Sequence, residues 1–403
     1  MTPSTQSEAT KPEAIQSGSV ADQPLSASQR WAYGLGVGLA VYLLVAAVDA
    51  LSLAFQGVLG PQAEALMTLA TNPFLGLVLG ILVTALVQSS SAVTSLMVAM
   101  VAGGLPVEIA IPAILGSNVG TTVTNTLVSL GYVGDDEGFE RGFAAATVHD
   151  FFNLLGLLIV FPLEVTLHPL AEAAAWLADQ IPSGTESSVH LPSLAVALTP
   201  ARWLLRAIAN GLPAPWDTFA CLGGSLAVLM VAVSGLSWLL RQLFSQVAQE
   251  GMESALDRGP LWSLVAGTGI TALVQSSSIT TSLTVPLASA GMVSLETLYP
   301  FVVGANIGTC VTVLLAAAAI TGPLQALVFR VAFVHIGFNL LIALLVYGLP
   351  WLRSGPLRAA RWLARLATEY RLLAIGYVLS LFFVIPSLLL LISLWVFPST
   401  AMI

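Results

Sequence analysis

Charge is what this sequence has least of. Asp, Glu, Lys and Arg make up 8% of 403 residues, where a soluble domain carries about 25%. Hydrophobic residues supply 57% and the mean hydropathy is +0.90, which excludes a water-soluble globule. The apolar runs are long and do not alternate, so they fit spanning helices rather than a β-barrel. Cysteine is also scarce. Cys221 and Cys310 sit in different apolar segments, which excludes a disulfide framework and a thiolate metal centre. Residues 1–30 contain no apolar run. The first one starts too late and runs too long for a signal peptide, so 1–30 reads as a disordered tail. The net charge of −8 lies mostly in the tail and loops. Nothing resembles a nucleic-acid surface, and no motif calls for an obligate protein partner. The bilayer is the implied environment.

What is present is a repeat. Residues 84–91 read TALVQSSS, and so do 271–278. The likeness runs on, with 12 of 15 positions shared between 84–98 and 271–285. About thirty residues later, Gly116-Ser117-Asn118-Val119-Gly120-Thr121 is matched by Gly304-Ala305-Asn306-Ile307-Gly308-Thr309. A third word, His-x-x-Phe-Asn, follows at His149–Asn153 and His335–Asn339. The order is constant and the offset stays between 186 and 188, so the chain contains a duplication over 78–160 and 265–346.

The expected fold is an all-α polytopic membrane protein. The first half, 31–161, holds a span at Trp31–Phe55 and the first repeat. A linker, 162–215, lies outside the membrane. The second half, 216–403, holds a span at Trp216–Leu240, a polar loop at Arg241–Arg258, the second repeat and a last span at 372–397. In each repeat the Gln-Ser-Ser-Ser word interrupts an apolar stretch, 73–103 or 260–292. Each arm of 73–103 holds roughly 14 residues, which at about 1.5 Å per residue is short of a crossing. The expectation is a re-entrant helical hairpin with the serines at its tip, the alternative being one kinked span. The spans 107–132 and 294–319 are expected to break at their Gly-x-Asn-x-Gly words. Arg353, Arg358, Arg361 and Arg365 stripe a helix expected on the membrane surface. With the N-terminus cytoplasmic, ten of thirteen basic residues fall on the cytoplasmic side. The C-terminus then ends outside. The same threading makes the two repeats inverted, an arrangement of secondary transporters.

The repeated words carry oxygen and amide chemistry. Gln88, Ser89, Ser90 and Ser91, with Gln275, Ser276, Ser277 and Ser278, offer hydroxyls, carboxamides and free N–H groups. That set suits an oxyanion. Broken backbone at bilayer depth is tolerated only where it lines an enclosed cavity. Asn118, Thr121, Asn306 and Thr309 are hard oxygen ligands that suit Na+, not a transition metal. Gln88 and Gln275 can serve either ion. The bland alternatives are helix packing by Gly-x-x-x-Gly and hydrogen-bonding glue by Ser and Thr. Asp150 is an ionisable group inside a span. Its counterpart is Ile336, so it marks one unduplicated cation site, with Asn125, Thr121 and Thr122 as co-ligands. His149 and His335 read as buried, hydrogen-bonded side chains. Arg141 is placed equally well as a surface group or as a ligand to the anion. A serine hydrolase built from His149 and Asp150 is disfavoured, because adjacent helix positions point about 100° apart.

The paired Gln-Ser-Ser-Ser words, GSNVGTTVTNT at 116–126, ATVHDFFN at 146–153 and Glu369-Tyr370-Arg371 together resemble the type II sodium-dependent phosphate cotransporters. The resemblance covers about 43–161 and 262–395. It implies Na+-coupled import of inorganic phosphate, with no organic cofactor and no enzymatic activity. It implies binding by both serine hairpins and the broken helices. It also implies electrogenic transport, since the position of Asp150 is aspartate in electrogenic members and glycine in the electroneutral one. The linker here is shorter than the glycosylated, disulfide-bonded loop of vertebrate members, and those have one more C-terminal span. These departures point to a bacterial cytoplasmic membrane. Another oxyanion as cargo stays open at this point.

Overall fold

The computed structural model describes residues 25–59, 72–181 and 216–396, with 198–200, 203, 212 and 213 between them. Most of the expected tail and much of the expected linker lie outside these residues. Among the described residues the regular structure is entirely helical, and six helices are long and apolar enough to cross a membrane.

Helix α1 is Ala27–Leu59. The first repeat follows as α2 (Pro73–Val87), α3 (Ser90–Ala102), α4 (Val107–Gly120), α5 (Val123–Ser129) and α6 (Asp136–Leu167). A short α7, Pro169–Asp179, comes next, then α8, Trp216–Arg258. The second repeat is α9 (Pro260–Val274), α10 (Ser277–Ser282), α11 (Thr284–Ser289), α12 (Leu295–Gly308), α13 (Cys310–Ala318) and α14 (Gln325–Ile342). The chain then forms α15 (Pro350–Glu369), α16 (Leu372–Leu379) and α17 (Ile385–Val396). Wide π turns at Ala343–Tyr347 and Ser380–Val384 extend α14 and join α16 to α17.

Local chemistry sets the starts and breaks. Asn72 Oδ1 accepts from Phe74 N at 3.1 Å, and Pro73 stands at the first helical position of α2. Helix α2 ends where Gln88 turns left-handed, φ 55°, and α9 ends the same way at Gln275, φ 57°. The next residue is extended in each case and caps the following helix. Ser89 Oγ accepts from Ala92 N at 3.2 Å, and Ser276 Oγ from Ile279 N at 3.3 Å. The second arm of the second repeat differs from the first: Pro286 lacks the N–H that would bond Ser282 O, and the helix is interrupted at Leu283.

Glycine brings each first arm against the helix that follows the pair. A Cβ on Gly80 would meet Ala113 O at 2.0 Å, and one on Gly116 would meet Leu77 O at 2.2 Å. In the second repeat, Gly304 faces Leu264 O at 2.0 Å and Gly267 faces Phe301 O at 2.1 Å. The Gly-x-x-x-Gly spacing therefore does serve close helix packing. The repeats also embrace reciprocally. Helix α3 packs on α13 and α14, while α10 and α11 pack on α5, and α11 on α6. Helices α1 and α8 pack along each other.

Three expectations are corrected. Residues 241–258 are not a loop but the end of α8, where Ala248, Met252, Ala255 and Leu256 repeat at helical spacing and are buried. The span expected to end at Phe161 runs on to Leu167, so the linker starts later. The breaks in the Gly-x-Asn-x-Gly helices are single irregular turns at Thr121–Thr122 and Thr309, with backbone angles still in the right-handed region. Thr121 and Thr309 donate to the carbonyls four residues back, which bends a helix without unwinding it. The arginine-striped α15 buries Pro356, Ala360, Leu363, Ala364 and Ala367, and it packs on α6. Trp351 and Trp362 on the same helix stay exposed.

Candidate functional site

Both serine words line one cavity of about 240 Å³. Gln88, Ser89, Ser90 and Ser91 meet Gln275, Ser276, Ser277 and Ser278 there. Ser90, Ser91 and Ser277 are almost fully buried. Ser89 and Ser276 use hydroxyl lone pairs as caps, which leaves their protons free to donate. Among described residues other than glycine, positive φ occurs only at Gln88, His168 and Gln275. Two of these three strained positions are at the cavity, as expected of a site held in shape by its surroundings.

The third wall comes from α8, through Val233, Ser234, Ser237, Trp238 and Arg241. Arg241 is the one cation lining this cavity among the described residues. Sequence reasoning missed it by assigning it to a loop. The helical repeat of small and apolar residues through 248–256 carried the signal that α8 continues.

Arg141 lies elsewhere. Its guanidinium donates to Ser289 O, from Nη2 at 3.1 Å and Nε at 3.3 Å, and pairs with Glu137 at 3.2 Å. It pins the end of α11 to α6 and is not among the lining residues.

The expected sodium ligands fall into three groups. The first is a network linking the repeats. His149 Nε2 lies 3.1 Å from Asn306 Oδ1, and His335 Nε2 lies 3.4 Å from Asn118 Oδ1. The amide oxygens can only accept, so each ring carries its proton on Nε2. Asn306 Nδ2 donates to Asn153 Oδ1, and Asn153 Nδ2 donates to Asn118 O, both at 2.8 Å. Asn118 and Asn306 are thereby engaged with protein groups, and His149 and His335 are the buried, bonded histidines expected. The second group is the threonine hinge. Thr121, Thr122 and Thr309 hydroxyls bond back along their helices, and Ser278 Oγ donates to Thr121 O at 3.3 Å. The third group keeps unused oxygens. Asn125 Nδ2 donates to Thr281 Oγ1 at 2.7 Å, while its Oδ1 has no partner. Asp150 is fully buried; Tyr377 OH donates to its Oδ2 at 2.7 Å, and its Oδ1 is unpartnered. Tyr377, on α16, had no signal in the sequence, because it lies 227 residues from its partner.

Gln275 belongs to the cavity and to the second repeat's core. Thr312 Oγ1 donates to its Oε1 at 2.7 Å, and Ser237 Oγ donates to its backbone O at 3.1 Å. A second cavity, about 450 Å³, lies between α2, α4, α6, α7 and α14 and contains none of the expected ligands.

The profile of the Na+/Pi-cotransporter family matches residues 43–174 and 228–352. Sodium-dependent phosphate transport protein 2A of Ovis aries is 34% identical over 420 residues, 86% of this chain and 66% of the relative. The 2A protein of Rattus norvegicus is 35% identical over 424 residues, 88% of this chain and 66% of the relative. The 2B protein of Homo sapiens is 32% identical over 435 residues, 86% of this chain and 63% of the relative. The chain thus spans just under two thirds of the length of these relatives. No solved structure matches. With the profile covering both repeats and the helices between their words, the chain belongs to the Na+/Pi-cotransporter family.

Proposed function

We propose that the chain is a sodium-coupled symporter that imports inorganic phosphate across a bacterial cytoplasmic membrane. The observation that carries this reading is the meeting of two duplicated serine tips and Arg241 in one cavity. Hydroxyl donors, backbone N–H groups at the start of α3 and a guanidinium answer a tetrahedral oxyanion, and ionic hydrogen bonds to arginine are strong. The names of the relatives support phosphate as the anion and sodium as the driver.

In this reading the repeats are inverted in the membrane and each α2–α3 or α9–α10 pair is a re-entrant hairpin. The left-handed turn at each glutamine and the reciprocal packing of the repeats support that geometry. Na+ is held by oxygens of Asp150, Asn125, Thr122 and the hinge carbonyls, and by Gln88 and Gln275 at the tips. The unpartnered Oδ1 atoms of Asp150 and Asn125 support the first of these sites. Two Na+ neutralise a divalent phosphate, and a third at Asp150 makes transport carry charge. The N-terminus is cytoplasmic and the C-terminus extracytoplasmic.

The test is uptake of labelled phosphate into proteoliposomes with and without a Na+ gradient, with excess sulfate or arsenate as competitors. Na+-dependent uptake that sulfate leaves intact is expected, and Ser90→Ala or Ser277→Ala reduces it. Uptake that ignores Na+, or that both serine variants retain in full, overturns the reading.

A further inference from the structure

The two repeats have nearly identical tips but different surroundings. Backbone angles at the glutamines agree, φ 55° and ψ 29° at Gln88 against φ 57° and ψ 26° at Gln275. The capping serines agree as well, φ −148° and ψ 100° against φ −153° and ψ 108°. Yet Gln275 is buried, 6% exposed, with its Oε1 taken by Thr312 Oγ1 at 2.7 Å. Gln88 is exposed, and its side chain makes no hydrogen bond among the described residues. The offset of 188 that pairs the Gly-x-Asn-x-Gly words makes Thr124 the counterpart of Thr312. The Thr124 hydroxyl is buried and has no hydrogen-bond partner among the described residues. One repeat holds a closed glutamine–threonine pair, and the other holds the same two groups apart.

We infer that Thr124 is a positioning residue of the transport step, taking the Gln88 carboxamide when the first repeat adopts the conformation now seen in the second. The inference rests on the transport reading. A buried hydroxyl left unpaired is costly, and so is a broken amide–hydroxyl bond. In the transport reading the two tips do not close together, because the cavity they both line must open to solvent. If both opened, two buried hydroxyls would be orphaned. Exchanging one closed pair for the other conserves the number of bonds and of orphans. The two states therefore lie close in energy, as states that interconvert in a cycle must. Thr312 positions Gln275 in the present state, and Thr124 positions Gln88 in the exchanged one. Neither threonine needs to touch the anion.

The experiment uses the full chain in proteoliposomes. Thr124→Val keeps the shape and removes the hydroxyl; it is expected to lower Na+-dependent phosphate uptake about tenfold, and Thr124→Ser to restore it. The second readout is alkylation of Ser234→Cys, at the cavity wall, in a Cys221→Ser, Cys310→Thr background with Na+ and phosphate present. Thr312→Val weakens the present state and is expected to slow alkylation about threefold, whereas Thr124→Val weakens the exchanged state and speeds it by a similar factor. Shifts in the same direction, no shift in either, or full transport by Thr124→Val overturn the inference. Failure of the transport reading looks different: wild type takes up no phosphate on a Na+ gradient, while the opposed alkylation shifts persist.

Discussion

Asp150 offers the most quantitative test of the proposed coupling between sodium and phosphate. Its carboxylate is fully buried in α6 beside Thr122, with Oδ2 bonded to Tyr377 and Oδ1 meeting no strict hydrogen-bond geometry among the described residues. Among the described residues no Lys or Arg forms an ion pair with it. An aspartate at a spanning helix's centre costs about 2.5–3.5 kcal/mol even by the mildest scale, so a charge kept there needs a counter-ion. One Na+ bound at Asp150 and carried with a neutral phosphate–sodium complex moves one net charge per cycle. Each such charge is worth about 2.3 kcal/mol per 100 mV, or roughly a fiftyfold change in the accumulation ratio. Asp150→Gly removes the carboxylate and opens space beside Tyr377. The expected result is Na+-dependent uptake that persists but no longer responds to voltage. The assay is uptake into vesicles clamped with potassium and valinomycin at several potentials. Wild-type uptake that ignores voltage, or a variant that keeps the full response, refutes the assignment. Tyr377→Phe serves as the companion: it removes one hydrogen bond from the carboxylate and is expected to shift the half-saturating Na+ concentration about tenfold or less, with voltage dependence intact.

Three further outcomes follow from the packing and the cavity. Arg241→Gln is expected to raise the half-saturating phosphate concentration at least about tenfold, the worth of a charge-assisted bond, with Arg241→Lys in between; equal affinity in all three proteins would show the guanidinium to be a bystander. Gly304→Ala sets a Cβ at 2.0 Å from Leu264 O, so α9 and α12 must separate. Its expected cost is about 1–3 kcal/mol, seen as a lower midpoint of thermal unfolding in detergent, whereas Gly34→Ala, with nothing within 4 Å, is the neutral control. Asn306→Ala strips partners from both His149 and Asn153, and is expected to cost about 1–3 kcal/mol in the same assay. A midpoint unchanged from wild type would mean that the cross-repeat bonds do not hold the halves together.

The sequence exposed the parts of this fold that depend on repetition and hid those that depend on distance. The doubled TALVQSSS fixed where α2 and α9 end, because an octamer that recurs in matched apolar context marks a shared backbone break. The bounds of the arms, Pro73–Val87 and Pro260–Val274, could be read from Asn72-Pro73 and Gly259-Pro260 as start signals. The glycine words drew two readings, packing and ion binding. Contact distances at Gly116 and Gly304 establish the packing role, while the asparagines between them tie one repeat to the other. Polar composition misled at 241–258, where a charged helix looks like a loop if judged by hydropathy alone. Asp150 was legible as an anomaly, a carboxylate in an apolar run, but its partner Tyr377 was not. Long-range pairs between single residues leave no periodic trace.

The duplication also explains why asymmetry matters more here than symmetry. Where the repeats agree, as in His149 with Asn306 and His335 with Asn118, the contacts cross between halves and are independent of the tip serines. Where the sequences differ, the roles diverge. Thr122 faces Cys310 across the alignment, Asn125 faces Val313, and Asp150 faces Ile336. Each of these substitutions puts an oxygen ligand in the first repeat and none in the second. Of these first-repeat groups, Asp150 and Asn125 keep lone pairs with no hydrogen-bond partner among the described residues. A cation bound there stabilises the first repeat without a matching effect on the second. Differential binding to two otherwise balanced states is the only way an ion can bias an exchange between them. In the proposed reading, the duplicated words supply the balance, and the unduplicated Asp150, Asn125 and Thr122 supply the direction.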